Sequence, residues 1–323
     1  MRDINYLQAM NEAIAEEMIR DDRVIVIGED VRAGVFGVTA GLLEKFGPRR
    51  ILDTPISESG FCGAAIGAAM RGLRPVVNMH LGSFLYVAMD QIVNECAKLR
   101  YMFGGQVNLP IVFLCRSGPP GNNAAQHSDA PYPLFANSPG LKVVLPSTSY
   151  DVKGLLKQAI RDNDPVMVFG NIRSRKSSVP ETGEDLVIPF GKGEVKRAGT
   201  DITVVAFLHL VEEGLSAAED LEREGISLEV VDPRTLVPLD MQIILESLAK
   251  TGRLLVTDDS HRTCGAAAEI VARVAEKGWN LLKAPVKRVT RYDVPIPYYR
   301  AMEQFVLPNR DKIKQAARKL MGV

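Results

Sequence analysis

The sequence predicts an α/β protein: a doubly wound, mostly parallel sheet followed by a smaller C-terminal α/β domain. Two observations predict this class. Short apolar runs such as "RVIVIG" and "LPIVFLC" alternate along the chain with longer segments of helical periodicity. These runs also lack the polar alternation of half-exposed strands, and strands that are apolar on both sides are typical of parallel sheets covered by helices on both faces.

The elements follow in a regular order. The first helix is predicted over "YLQAMNEAIAEEM", where Leu7, Met10, Ile14 and Met18 share one face. The later strands of the first series are predicted over "RVIVIG", "RILD", "RPVVNMHL", "LPIVFLC", "LKVVLP" and "PVMVFG". Its later helices are predicted over "GFCGAAIGAAMRG", "VAMDQIVNECAKLRYM" and "SYDVKGLLKQAIRD". A second series runs from "DITVVAF" to the terminal helix "NRDKIKQAARKLMG".

One polar stretch separates the two series. Residues 171–188, "NIRSRKSSVPETGEDLVI", are charged and turn-rich and have no sustained periodicity, which indicates an interdomain linker. We therefore predict a first domain over residues 1–180 and a second over residues 189–323. Both lengths lie within the usual range for single domains.

Composition excludes several classes of protein. Lysine and arginine total 39 and aspartate and glutamate total 39, so no net charge favours binding to nucleic acid or to an anionic membrane. The four cysteines are far apart and form no CxxC pair, which argues against a structural zinc site or a disulfide framework. We expect all four to be buried thiols. No targeting segment or long apolar stretch is recognised, and a cytoplasmic location is expected.

Polar residues follow four predicted strands, at the edge where open parallel sheets bind their ligands. The four groups are Gly28, Glu29 and Asp30; Ser57 and Glu58; His80, Ser83 and Phe84; and Gln126, His127 and Ser128. Because the carboxyl ends of parallel strands meet at one edge, we expect these groups to share a pocket.

Each group also has a structural interpretation. Glu29 and Glu58 could cap the helices that follow them, because acidic side chains are favoured near helix N-termini. His80 ends an apolar strand and fits a core histidine, and Phe84 fits a packing residue. His127 lies in a long polar loop, where it is either functional or an ordinary surface histidine. Spacing alone leaves these alternatives open.

Common catalytic and binding motifs are missing from the sequence. It has no HExxH pair, no EF-hand loop, no Walker A sequence, no GxSxG elbow and no GxGxxG after a strand. Phosphate recognition by this chain alone is therefore poorly supported.

Long motifs in a fixed order resemble one family over nearly the whole chain. They are "IGEDV", "GVFGVTAGLLEKFGPRRILDTPISESGFCGAAIGAAMRGLRPV", "FLYVAMDQIVNECAKLRYMFGGQ", "AAQHS", "STSYDVKGLLKQAIRDNDPV", "DPRTLVPLD" and "YDVPIPY". Together they resemble the beta subunit of the thiamine-diphosphate-dependent 2-oxo acid dehydrogenases, a transketolase-like family. Within that family, "KLRYMFGG" is closer to the pyruvate and acetoin branches than to the branched-chain branch.

The resemblance implies a division of labour between two chains. It implies that the beta chain binds the aminopyrimidine end of thiamine diphosphate and that an alpha chain supplies the diphosphate and Mg²⁺ site. It further implies an α2β2 heterotetramer with the active site between subunits, and transfer of an acyl group to the lipoyl domains of an acyltransferase core.

The resemblance also implies roles for single residues. Glu58 resembles the glutamate that hydrogen-bonds a nitrogen of the pyrimidine ring, and Phe84 would stack on that ring. His127 resembles a loop histidine that steadies the substrate carboxylate or relays a proton, since imidazole titrates near neutral pH. Four further positions line the cofactor in relatives: Glu29, Ile56, Ser57 and His80.

A monovalent cation site is implied as well. The positions that bind such an ion in some relatives, usually potassium and largely through carbonyl oxygens, correspond to Ile111, Ala159, Ile160, Asp162 and Asp164. Main-chain ligation leaves little trace in the side chains, so this expectation depends on the resemblance alone.

The chain departs from the family at "SHRTCG" in the second domain and, more extensively, in one region of the first series. Asp129 replaces the usual glutamine after "HS", Asn137 replaces a second histidine, and "RSGPPGNNAAQHS" lacks the usual "TPYG" type of sequence. All three departures cluster at the mouth that the resemblance assigns to substrate and lipoyl group. The cofactor end is intact by comparison, so thiamine diphosphate chemistry is better supported than any named substrate.

We therefore expect a beta subunit that, with an alpha subunit, oxidatively decarboxylates a pyruvate-like 2-oxo acid and transfers the acyl group to lipoamide. Acetoin cleavage is the nearest alternative, followed by a non-oxidative, split transketolase-type enzyme. A non-catalytic scaffold or regulatory subunit is the alternative from another class. It would be favoured by loss of Glu58 or by a gap in the cofactor wall, and neither is seen in the sequence.

Overall fold

A computed structural model describes residues 1–118, 121–171, 176–181 and 185–323 of the chain. It divides into two compact units. The first comprises Met1–Ser117 with Leu134–Phe190, and the second comprises Gly118–Pro133 with Gly191–Val323. The loop that contains His127 therefore belongs to the second unit, although it lies within the first series of elements in the sequence.

The first unit contains eight strands among its described residues. They are Arg2–Ile4 (β1), Val24–Gly28 (β2), Ile51–Asp53 (β3), Arg74–Leu81 (β4), Val112–Arg116 (β5), Lys142–Val144 (β6), Val166–Gly170 (β7) and Ser177–Val179 (β8). The α-helices up to residue 161 are Tyr6–Arg20 (α1), Leu42–Phe46 (α2), Glu58–Met70 (α3), Ala97–Met102 (α4), Tyr132–Ala136 (α5, which begins in the loop of the second unit) and Ser149–Arg161 (α6).

Six of these strands form one parallel sheet, in the order β6-β7-β5-β4-β2-β3. Strand β4 lies between β2 and β5, with Val77 in register with both Ile27 and Phe113. Because all three strands run the same way, their carboxyl ends lie side by side at one edge of the sheet.

Helices α1 and α6 cover the sheet with one continuous core. Helix α1 begins at a capping box, in which Asn5 and Gln8 each donate a backbone N–H to the other's side chain. Its buried face contains Met10, Ile14 and Met18, as the periodicity predicts. These residues belong to one apolar cluster with side chains of α6 and of the sheet strands.

The segment predicted as a linker is partly structured. Strand β8 pairs antiparallel with β1, and Leu186 and Ile188 belong to the apolar core of the first unit. Residues 172–175 and 182–184 of the segment lie outside the described residues. The described parts therefore pack as elements of the first unit, which extends to Phe190.

The second unit contains a smaller sheet. Its strands are Glu194–Arg197 (β9), Ile202–Val205 (β10), Leu228–Asp232 (β11), Thr235–Val237 (β12), Leu254–His261 (β13) and Lys287–Arg291 (β14). Its helices are Leu210–Glu222 (α7), Met241–Thr251 (α8), Ala266–Gly278 (α9), Arg300–Val306 (α10) and Arg310–Met321 (α11). Five strands are ordered β14-β13-β10-β11-β9, and only β9 pairs antiparallel with its neighbour. The predicted fold class is confirmed in both units.

Two further sequence expectations can be compared with the structure. Cys62, Cys96 and Cys115 are buried, but Cys264 is exposed, so the expectation of four buried thiols is wrong at that position. Cys264 follows the last strand residues of β13 in an irregular turn, which apolar periodicity does not describe. Within the described parts of the chain, no helix is long and apolar enough to span a membrane.

Candidate functional site

The carboxyl ends of β2 and β4 have unusual backbone geometry. Gly28 has φ 154°, and a Cβ atom there would lie 2.5 Å from the carbonyl oxygen of Asn78 on the neighbouring strand. Asp30 and His80 have φ values of 51° and 56°, in the left-handed region that L-residues rarely adopt. Such conformations cost free energy and cluster at functional sites, so this edge is a candidate site on backbone grounds alone.

His80 is buried and both of its ring nitrogens have partners. Its Nε2 lies 2.8 Å from the carbonyl oxygen of Glu29, which can only accept, so Nε2 carries the proton. Its Nδ1 lies 3.4 Å from the side-chain amide nitrogen of Asn78, which donates. This arrangement joins the ends of β2 and β4. It favours the structural interpretation of His80 over a role in proton transfer.

Glu58 is the first residue of α3 and is 8% exposed. Its carboxyl group has no hydrogen bond or ion pair with any residue that the structure describes. Helix α3 therefore does not use Glu58 as a hydrogen-bonding cap. Neither of its carboxyl oxygens is among the fully buried unpaired atoms of the described residues, so both stay open to a ligand that donates a hydrogen bond.

Glu29 lies within electrostatic range of Glu58. Burial raises the pKa of Glu29. The electrostatic interaction with His80 opposes that shift, and the negative charges of Glu58 and Asp30 raise the pKa further. Its Oε2 atom is buried and has no hydrogen-bond partner among the described residues. Two carboxyl groups at adjacent strand ends are therefore held close together without internal donors.

Cys62 lies one turn after Glu58 on α3 and is also buried. Burial, followed by the nearby charge of Glu58, raises the pKa of the Cys62 thiol to about 12. Its Sγ lies 3.5 Å from the sulfur of Met79, next to His80 on β4. The thiol is therefore neutral at physiological pH and forms part of the apolar wall behind the two acids.

The remaining predicted cofactor-lining residues differ in exposure. Ile56 is 81% exposed, and Ser57 is also exposed. Phe84 is partly buried in the 3₁₀ turn Gly82–Ala88, which follows β4 directly. An isoleucine so exposed beside a buried acid leaves apolar surface available to a ring or to another chain.

Two residues at this edge were not found from the sequence. The ring of Phe36 packs edge-on against His80, with 4.8 Å between the ring centroids. The guanidinium of Arg116, the last residue of β5, lies 4.7 Å from the centroid of the same ring. A charged residue at the end of an apolar strand was a usable signal for Arg116. Phe36 lies in an irregular loop, for which periodicity gives no signal.

His127 lies in the second unit, at the end of the 3₁₀ turn Ala125–His127, and is exposed. Its loop is held from two sides. The wholly buried Arg291 donates to the carbonyl oxygen of Ser128 at 3.1 Å, and the Glu303 carboxylate accepts from the backbone N–H groups of Gly121 and Asn122. The loop backbone is thereby anchored on both sides of the imidazole.

Asp129, which replaces the usual glutamine of the family, lies near a buried arginine. Its carboxylate lies 3.7 Å from the Arg291 guanidinium, which also lies 3.7 Å from the carboxylate of Asp259. Asp259 is wholly buried, and burial raises its pKa to about 7, although the charge of Arg291 opposes the shift. Asn137, the second departure, is exposed just after α5. Pro119 and Pro120 of the altered loop lie outside the described residues.

Asp258, the neighbour of Asp259, is fully hydrogen-bonded. Its Oδ1 accepts from the Tyr132 hydroxyl at 2.5 Å and from the Ser260 backbone N–H at 2.9 Å. Its Oδ2 accepts from the Ser260 hydroxyl at 2.7 Å and from the Ala267 backbone N–H at 2.8 Å. These bonds join Tyr132, the first residue of α5, to β13 and to the start of α9.

The oxygens implied for a monovalent cation already have hydrogen-bond partners, most of them basic side chains. The carbonyl oxygens of Ile160 and Asp162 accept from Arg74 at 3.0 and 2.9 Å. The Asp162 carboxylate accepts from Lys142 at 2.7 and 2.8 Å, and Asp164 pairs with Lys142 and Arg100. The carbonyls of Ile111 and Ala159 accept backbone N–H groups. These positions therefore do not fit a further cation well.

No group of three or more histidine, cysteine, aspartate or glutamate side chains among the described residues is arranged to hold a metal ion.

Comparison with known proteins adds two family matches. Residues 2–174 match the model of the transketolase pyrimidine binding domain, and residues 191–313 match that of the transketolase C-terminal domain. Together these matches cover most of the chain, and each coincides with one of the two sheets.

Relatives are similar over almost the whole length. The chain is 44% identical to the acetoin:2,6-dichlorophenolindophenol oxidoreductase subunit beta of Bacillus subtilis (99% of this chain, 98% of the relative). It is 45% identical to the 2-oxoisovalerate dehydrogenase subunit beta of the same organism and 43% identical to the pyruvate dehydrogenase E1 component subunit beta of Rickettsia conorii (98% of both chains in each case). Overall identity does not separate these three activities.

A solved structure shares the fold. It is described as a split gene transketolase, inactive beta4 tetramer, and it superposes with a TM-score of 0.80 over 99% of both chains. The sequence identity is 22%, so this likeness supports the architecture alone.

Proposed function

The chain belongs to the family of transketolase-like beta subunits of the pyruvate, acetoin and 2-oxoisovalerate dehydrogenases, and from this premise we propose its activity. With an alpha subunit it forms a thiamine-diphosphate-dependent enzyme that oxidatively decarboxylates a 2-oxo acid and transfers the acyl group to lipoamide. The proposed assembly is an α2β2 heterotetramer that serves a lipoyl acyltransferase core.

One observation carries the proposal: Glu58 is buried at the sheet edge and has no partner in the described chain. A ring nitrogen of an aminopyrimidine is a suitable partner for such a group, because the carboxyl can share a proton with it through a charge-assisted hydrogen bond. The buried, unpaired Oε2 of Glu29 beside it fits the same ligand. The residues present therefore fit the pyrimidine end of the cofactor.

The chain's own residues would hold the cofactor and control one proton. When bound, thiamine diphosphate supplies an electron sink for the carbanion that decarboxylation leaves. Glu58 would share a proton with the pyrimidine nitrogen, and the second carboxyl, Glu29, disfavours further negative charge beside it. Ile56 and Phe84 offer apolar contact to the ring, while Ser57 and His80 shape the wall.

His127 has a separate proposed role in the second unit. Its exposed imidazole would steady the substrate carboxylate or pass a proton during acyl transfer. Support comes from the anchoring of its loop by Arg291 and Glu303, which limits the motion of the backbone next to His127.

Neither Mg²⁺ nor potassium is assigned to this chain. We assign Mg²⁺ and the diphosphate to the alpha subunit, because this chain has no phosphate-binding loop. We leave potassium out of the proposed function, since Arg74 and Lys142 already bond to the Ile160 and Asp162 oxygens implied for it.

Acetoin is the second candidate substrate. It is favoured by the relatives from Bacillus subtilis and Cupriavidus necator, which are 44% and 45% identical to the chain and named for acetoin oxidoreduction. Its cleavage uses the same carbanion chemistry at a carbonyl carbon, and it differs from a 2-oxo acid by having no carboxylate.

The test is reconstitution. The full chain is co-expressed with its alpha subunit, and turnover of several 2-oxo acids and of acetoin is followed with a dye acceptor, with and without thiamine diphosphate. We expect cofactor-dependent turnover of a 2-oxo acid by the complex and none by either chain alone. Reduction of a lipoyl acceptor would then support the acyl-transfer step. A complex that binds thiamine diphosphate but turns over none of these substrates would contradict the proposal.

A further inference from the structure

Arg116 ends β5 at the same edge of the sheet as the two acids. It is in register with Leu81 of β4 and with Gly170 of β7, and its neighbour Cys115 is in register with His80. The side chain is therefore placed where open parallel sheets bind their ligands, on the side of β4 opposite β2.

The Arg116 guanidinium has no carboxylate partner in the described chain. The guanidinium lies over the ring face of Phe36, and its Nε is buried without a hydrogen-bond partner among the described residues. Burial lowers the pKa of Arg116, and no acidic side chain opposes that shift. An arginine nevertheless stays charged at neutral pH, so this is an uncompensated positive charge in a partly buried position.

Other arginines of the same unit are satisfied. Arg74 donates to two carbonyl oxygens and to the side chain of Asn163, and Arg161 pairs with the carboxylates of Glu17 and Asp185. Arg50 donates to three carbonyl oxygens in succession. Arg116 has no such partner among the described residues.

The space beside the unpaired Nε has room for one internal water at most. The cavity between Arg116, Phe36, Asn78 and His80 has a volume of about 10 Å³. A water molecule needs at least about 10–15 Å³ of such space and two or more polar partners. His80 has no free ring nitrogen to offer, since both already have partners. A carboxylate is too large for this space, so one that pairs with the guanidinium would approach from the solvent-exposed part of Arg116.

We propose that Arg116 binds the carboxylate of the 2-oxo acid substrate. A guanidinium matches a carboxylate with two parallel hydrogen bonds, and it does so more strongly where water is partly excluded. Phe36 supports the flat side of the guanidinium and also contacts His80, so the position of the charge is tied to the edge that carries Glu29. This inference rests on the proposed function and names its substrate-selecting residue. Of the two roles proposed for His127, it leaves the transfer of a proton.

The test separates substrate binding from catalysis in the reconstituted enzyme. At saturating thiamine diphosphate, we expect R116M to raise KM for the 2-oxo acid at least tenfold and to change kcat less than threefold. R116K keeps the charge, and its KM should lie between those of wild type and R116M. The exposed Arg71, at the end of α3, provides the matched control R71M, which keeps the wild-type KM. Acetoin, which has no carboxylate, shows the same KM in wild type and R116M if the enzyme accepts it.

A second measurement does not depend on turnover. Oxalate, a small unreactive acid, is titrated calorimetrically into the wild-type and R116M complexes, and we expect R116M to lose at least tenfold in affinity. An unchanged oxalate affinity or an unchanged KM in R116M overturns the inference. So does a loss of affinity for thiamine diphosphate or for the alpha subunit, because Arg116 would then serve the cofactor or the assembly. A wild-type complex without turnover contradicts the proposed function and leaves the oxalate result to decide on Arg116.

Discussion

The buried acidic side chains of the two units differ in their hydrogen bonding. In the first unit Glu58 is buried without a partner, and Oε2 of Glu29 is buried without a donor, within the described chain. In the second unit Asp258 is fully buried and accepts four hydrogen bonds. A carboxylate saturated by its own chain stabilises the fold, whereas one left unpaired costs free energy and is typical of a site that a ligand completes.

The largest effect on stability is expected at Asp258. Asp258→Asn places an amide N–H₂ against donors that need an acceptor, which leaves a buried hydroxyl or N–H group unsatisfied. We expect the free energy of unfolding to fall by about 3 kcal/mol, measured by denaturant unfolding. Glu276→Gln, an exposed change on α9, is the control and stays within about 0.5 kcal/mol of wild type. A D258N variant as stable as that control would remove the contrast between the units.

Asp259 is a second buried carboxyl of the second unit, and unlike Asp258 it is not saturated with hydrogen bonds. It lies beside Asp258, but its pKa is raised to about 7, first by burial and then by the charge of Asp258, against the opposing effect of Arg291. A raised carboxyl pKa means that the folded state holds its proton longer than the unfolded chain. Stability is therefore lost as pH rises from about 4, where the unfolded carboxyl ionises, to about 7.

The corresponding variant is Asp259→Asn, which has no proton to lose. We expect its free energy of unfolding to fall less than that of wild type between pH 5 and pH 8, measured by urea unfolding at both pH values. Parallel pH dependence in the two proteins would show that Asp259 ionises at its ordinary pKa and is paired more strongly than its 3.7 Å separation from Arg291 suggests.

The smallest change in stability is expected at Glu29. Its pKa is raised by burial, so its charged form destabilises the folded state, and the sign is opposite to that of a paired acid. Glu29→Gln should leave the free energy of unfolding at pH 7 equal to wild type or higher by about 0.5 kcal/mol. The two proteins should converge below the ordinary glutamate pKa. A clear loss of stability in E29Q at pH 7 would mean that Glu29 has a structural role like that of Asp258.

The sequence was sufficient to predict the main strands of both sheets. Strands such as β2 and β7 are five buried apolar or glycine residues in a row, and the capping box of α1 and its 3.6-residue periodicity mark a helix without further information. The described parts of residues 171–188 were harder to predict. The pairing of β8 with β1 joins residues about 175 positions apart, and local polarity carries no trace of it.

The site was predictable only in part. Glu29, Glu58 and His80 were found because the ends of parallel strands meet, and the structure brings these three together. The partners of His80 follow from backbone geometry at Asn78 and Glu29, which composition does not show. Membership of the His127 loop in the second unit depends on tertiary bonds to Arg291 and Glu303, far away in the sequence.

The central claim is that the first unit keeps Glu58 unpaired for a ligand, and one variant tests it most directly. In Glu58→Gln we expect the free energy of unfolding of the chain to stay within about 0.5 kcal/mol of wild type. Turnover of the complex with the alpha subunit should fall by about 100-fold or more, because the amide cannot share a proton with the cofactor. The exposed change Glu44→Gln on α2 should alter neither quantity. Undiminished turnover in E58Q, or a loss of stability as large as that of D258N, would contradict the account.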